Sequence, residues 1–170
     1  LNDYLATFEN GYNRTEALFY LSDCYVQLED NSQALVTMRQ LIDHGTSQYS
    51  ERVLGVYARM SFDEGDYEAS ADAWLALLEY ADSRSAKQQA IDGYVEATLC
   101  YAQGDDIIAM ADRVFGMGDA SEWARRQSMM AKADVLRTRG SRDEAIRLLY
   151  EQMVCAIGAG SQIPDASMTM

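Results

Sequence analysis

Ala58-Arg59-Met60-Ser61-Phe62-Asp63-Glu64-Gly65-Asp66-Tyr67-Glu68-Ala69-Ser70 is the stretch on which the reading of this chain turns. A small residue, Ala58, stands seven positions before a glycine, and another, Ser70, stands five positions after it. Upstream, Leu54, Tyr57 and Met60 recur at helical spacing, and downstream Ala71, Trp74, Leu77 and Leu78 do the same. Apolar residues three and four apart share one face of a helix, whereas a strand would alternate them. The stretch therefore predicts two helices meeting across a turn at Gly65. The small side chains let their axes approach closely. Asp66, just after the glycine, is placed to cap the second helix.

The same arrangement recurs along the chain. Further turns read Leu28-Glu29-Asp30-Asn31, Gln103-Gly104-Asp105-Asp106 and Arg139-Gly140-Ser141-Arg142, so that Glu29, Gly65, Gly104 and Gly140 are separated by 36, 39 and 36 residues. Ser22, Ala97 and Ala133 take the small position before these turns, and Ala34, Ala109 and Ala145 take the one after. Bulky stripes flank them. The first unit has Leu18, Leu21, Tyr25 and Leu28, answered by Leu35, Met38, Leu41 and Ile42; the fourth has Met129, Leu136, Ile146, Leu149 and Met153. In the third unit the second-helix anchors (Ile107, Ile108, Ala111, Val114, Phe115) arrive early, which predicts a tighter turn. A fixed period of this length is the mark of stacked repeats.

The fold class expected is all-α, with main helices over 15–28, 31–44, 49–64, 67–81, 85–103, 105–116, 121–139 and 142–154. Residues 1–10 read as the second helix of a preceding unit, stopping at Gly11. The array spans 1–155, and 156–170 form a tail or the start of a further unit. The chain begins at Leu1, as expected of a processed product or an excised piece.

Gly65-Asp66-Tyr67-Glu68-Ala69, with Ala58 before and Trp74 after, resembles the tetratricopeptide repeat signature, as does Gly140-Ser141-Arg142-Asp143-Glu144-Ala145-Ile146. The resemblance covers about residues 15–154. It implies a right-handed α-α superhelix of stacked helix–turn–helix units. Two departures stand out. The Trp frequent early in the first helix of that family is replaced by Leu18, Leu54, Gly93 and Met129, and its closing proline is missing, Pro164 being the only proline here. Units this divergent are similar to those of bacterial cell-envelope tetratricopeptide proteins. That likeness implies the periplasmic side of a bacterial envelope, with the cytoplasm as the other compartment open.

The net charge of −13 repels phosphate backbones and anionic lipid, so nucleic-acid binding and membrane-surface binding are not expected. No apolar run is long enough for a membrane span, so direct insertion is not expected either. Most of the acidic excess lies before residue 101. It reads as solvated outer helix faces, although an acidic front half could also orient a partner. Cys24, Cys100 and Cys155 show no metal or disulfide spacing; Cys24 and Cys100, on apolar stretches, are expected to be buried as small hydrophobes. His44 lacks a nucleophile to activate, and no GxSxG, P-loop or HExxH motif occurs. Trp74 and Trp123 read as core or inter-unit residues. No enzyme activity, cofactor or metal is expected.

What remains is a groove. In a solenoid of helix pairs the first helices line the concave face. On them, Phe19, Asp23, Arg52, Arg59, Phe62, Tyr94, Tyr101, Met130, Asp134 and Arg137 are not needed for packing within a unit. Aromatic and Arg side chains at such places dominate interfaces. The function expected is a scaffold or adaptor that binds a partner protein or peptide on that face, and homo-oligomers are compatible with it. The alternative is a regulatory or sensor segment of a larger multidomain protein, packed on its own neighbours.

Overall fold

The computed structural model describes Asp3 and residues 13–160, and contains no strand among them. Eight helices follow in order: α1 Arg14–Gln27, α2 Asn31–His44, α3 Ser50–Asp63, α4 Tyr67–Leu77, α5 Arg84–Tyr101, α6 Asp105–Gly116, α7 Glu122–Thr138 and α8 Arg142–Gly160. The periodicity locates all of them. Two ends differ from expectation: α4 closes at Leu77 and not at 81, and α8 runs on to Gly160 and not to 154. The helix expected over 1–10 and the last ten residues lie outside the described residues.

Local chemistry sets the joints. At three first-helix ends the chain makes the same paired cap. Asp30, Asp66 and Ser141 donate their N–H to the carbonyls of Tyr25, Ser61 and Leu136, while Glu29, Gly65 and Gly140 donate to Val26, Phe62 and Arg137. This double bond satisfies two carbonyls that the helix leaves without partners, and it requires a left-handed residue at the turn. Gly65 has φ 83° and Gly140 φ 86°, but the first unit puts Glu29 there at φ 58°. A side chain in that region strains the backbone. We predict that Glu29→Gly raises stability by about 1 kcal/mol in urea unfolding, net of the extra freedom glycine has when unfolded. An unchanged midpoint would show that the strain is relieved elsewhere. Asp30 and Asp66 then cap the second helices, accepting from the N–H of Gln33 and Ala69, each at 3.2 Å.

These caps fold α1 on α2, α3 on α4 and α7 on α8 as antiparallel hairpins. Small residues mark the contacts as expected in these three pairs: Ser22, Ala58 and Ala133 are buried, as are Ala34, Ser70 and Ala145. Ser70 Oγ donates to the Ala58 carbonyl at 2.7 Å, tying α4 to α3. No buried side-chain polar atom among the described residues is left without a partner.

The third unit departs from the pattern. Its joint is no tighter than the others: Ala102 is extended (ψ 151°), so the cap pair does not form and α5 shares little contact with α6. Instead α5 packs on α4 as fully as α3 does, and α6 packs mainly on α7. Released from α5, α6 turns Met110, Ala111 and Val114 inward, and Ala109, expected at a helix contact, faces solvent. Gly93 on α5 makes the α4–α5 contact possible. A Cβ there would fall 2.6 Å from Nε1 of Trp74.

One apolar core runs from α1 to the start of α7, with Leu18, Ile91, Val95 and Met110 fully enclosed. A second, much smaller cluster joins Ala133, Leu136 and Ala145. Several residues read as core are not. Leu28 is the residue that closes α1 and is exposed. Cys24 and Cys100 are exposed because each lies two residues, about 200° of helix, past a buried position (Ser22 and Thr98). Trp123 is also exposed, at 43%, beside the buried Ala124. Ile146 and Leu149 are exposed for a reason that concerns the site.

Candidate functional site

The structure gathers three of the ten expected contact residues on α1 and α3, three on α7, and leaves Arg59, Phe62, Tyr94 and Tyr101 apart from both groups. At the front, Phe19, Asp23 and Arg52 come together across α1 and α3. Phe19 is buried and stacks on Tyr49 with centroids 4.1 Å apart; Arg52 sits 5.3 Å over the Phe19 ring and pairs with Asp23 at 3.4 Å. These residues satisfy one another and leave little for a ligand. Arg59 lies 5.8 Å over the Trp74 indole, and half-buried Phe62 meets Tyr67 edge-on at 5.1 Å. Tyr94 is buried, with Arg113 6.0 Å from its ring centre, so it serves the core and not a surface. Burial holds its phenol above the ordinary value. Tyr101 is exposed, and partial burial followed by the Asp72 and Glu68 carboxylates raises its phenol too.

At the back, Met130, Asp134 and Arg137 share one site. Together with Ala133 they form a stripe along α7, and Arg142, Ala145, Ile146 and Leu149 form the matching stripe along α8. Both stripes have the spacing i, i+3, i+4, i+7, which is one helix face. Ala133 and Ala145 are small and buried where the helices touch. The larger side chains therefore stand on either side of a groove of about 720 Å³. Met130 is 55% exposed and Ile146 65%. Arg137 pairs with Asp134 at 2.5 Å; Arg142 makes no ion pair among the described residues.

Periodicity found the α7 half of this groove and missed the α8 half. Ile146 and Leu149 carried the same signal as a core stripe. Ala133 and Ala145 were read as a helix contact, which they are, but the groove beside them was not foreseen. In the second unit the equivalent Ala71 and Trp74 lie buried against α5, whereas among the described residues α8 packs chiefly on α7. Among the described residues no group of three or more His, Cys, Asp or Glu is gathered to hold a metal, and no helix is long and apolar enough to cross a membrane.

Compared with family models, curated proteins and solved structures, the chain matches none of them.

Proposed function

We propose that this chain is a protein–protein interaction scaffold, a tetratricopeptide-like array of helix pairs that holds a partner peptide or helix. The repeated turn caps and the equivalent small residues of α1–α2, α3–α4 and α7–α8 support the array. The observation that carries the function is the α7–α8 groove, where Met130, Ile146 and Leu149 stand exposed side by side. A contiguous apolar strip with charged residues at its rim is what a protein-binding surface presents. The front cluster, whose aromatic and Arg residues already pair with each other, is the weaker surface.

Ile146→Asp tests this directly. Ile146 is exposed, so the variant keeps its fold, which circular dichroism checks. We expect it to reduce partner capture from lysate of the native organism by at least about tenfold, since a charge buried in an apolar contact is strongly unfavourable. The paired change Arg52→Ala with Arg59→Ala is expected to leave capture intact. Capture that survives Ile146→Asp and is lost in the paired variant would move the site to the front cluster.

A further inference from the structure

We propose that the pocket between α2, α3 and α4 binds a primary ammonium group carried on a short branched apolar chain, as in an aliphatic amine or the N-terminus of a peptide that begins with leucine. The pocket shares no residue with the α7–α8 groove, and its assignment is independent of the scaffold reading. Its floor is Leu41 on α2 with Val53 and Leu54 on α3, all buried, and half-buried Ala76 on α4. Gly45, Glu79 and Tyr80 stand at its more exposed edge. The repeat explains the open space. Gly45 holds the position that Ala81 takes one unit later, 36 residues on. Ala81 is buried, whereas a Cβ at Gly45 would meet nothing within 4 Å. With no methyl there, a cavity of about 80 Å³ stays open.

Volume, polarity and charge select the ligand. The cavity has room for about five water-sized atoms, which fits a branched four- or five-carbon group and leaves out a benzyl side chain. Its floor is apolar, so the hydrocarbon end enters and the charged end stays at the edge, where it keeps water. Glu79 is the one charged residue that lines the pocket, and it makes no ion pair among the described residues. The backbone holds it there. After α4 closes at Leu77 the chain continues in tight turns, the Glu79 N–H donating to the Ala76 carbonyl at 3.2 Å and that of Tyr80 to Leu77 at 3.0 Å. The Tyr80 and Thr46 hydroxyls share a hydrogen bond of 3.0 Å, tying this turn to the loop after α2. A cation with its tail on Leu41 and Leu54 thus meets a carboxylate at the rim. Residues 1–100 carry 17 acidic and 6 basic side chains, a field that draws cations and repels carboxylates. A free amino acid, which bears both charges, is the poorer ligand.

The probes are 3-methylbutylamine, which is a leucine side chain with its Cα and amino group, and its neutral counterpart 3-methylbutanol. Leucyl-alanine amide and its N-acetylated form are the second pair. Binding to the full chain is read from NMR shifts of the Gly45, Ala76 and Glu79 amides. We expect the amine to saturate these shifts in the millimolar range, about fivefold more tightly than the alcohol, and Glu79→Gln to bring the two level. Glu79 is exposed, so that variant keeps its fold and carries the test by itself. Ala76→Leu, which fills the pocket, is expected to abolish binding of both. Equal binding of amine and alcohol, a preference that survives Glu79→Gln, or no saturation by either overturns the proposal. So does equal binding of the two dipeptides. A free dipeptide that binds more tightly than the amine, and is lost on acetylation, assigns the site to a peptide N-terminus. Binding of the amine without the dipeptide assigns it to a small aliphatic amine.

Discussion

Trp74→Ala is expected to lower the unfolding free energy by about 3–5 kcal/mol, the usual cost of removing a buried indole. Trp74 is 6% exposed and sits at the α4–α5 contact, the one that holds the front half of the array to α5. Its loss leaves a void bounded by the Gly93 backbone, which cannot close over the gap without moving α5. The pair is testable as a cycle. In the parent chain, Gly93→Ala drives a methyl into the indole and costs about 1–3 kcal/mol, less the roughly 1 kcal/mol that alanine returns in helix propensity. In the Trp74→Ala background that clash is absent, and the same change becomes neutral or stabilising. Urea unfolding of the four proteins measures the coupling. If Gly93→Ala has the same effect in both backgrounds, the two residues do not touch and α5 is misplaced against α4.

Ala58→Leu and Ala133→Leu separate a closed contact from an open one. By sequence position they are equivalent, each seven residues before its turn glycine, and the repeat alone predicts equal cost. The surroundings differ. Ala58 is fully buried between α3 and α4, and its carbonyl accepts the Ser70 hydroxyl, so a larger side chain must part the two helices. We expect a loss of about 1–3 kcal/mol. Ala133 is also buried, at the α7–α8 contact, but it lines the groove beside it, into which a longer side chain can extend. Its replacement is expected to cost less than about 1 kcal/mol, and to block partner capture by filling the groove. Thermal melts of both variants, with capture assays on the second, check the asymmetry. Equal destabilisation would mean that the groove is closed in solution.

Sequence by itself determined the helices and the places where they turn. Gly65 and Gly140 supply the left-handed residue of a cap, Asp30 and Asp66 supply a side-chain acceptor, and stripes at a 3.6 period select the inward face. These are interactions between residues a few positions apart, so they are legible in the order of the residues. Small side chains at Ser22 and Ala58 likewise announced close helix contacts, since only their size matters there. Tertiary structure alone decided which stripe has a neighbour. Leu35, Ala71 and Ile146 occupy one position of the repeat, yet Ala71 is buried under α5 and Ile146 is 65% exposed. Tyr94 and Met130 were both read as groove residues, but α5 turns Tyr94 into the core while Met130 stays at the surface. Periodicity reports which side chains share a face of a helix; whether water or another helix meets that face depends on contacts between residues far apart in the chain. The extended Ala102 shows the same division, because one backbone angle at the end of α5 parts it from α6 and hands α6 to α7.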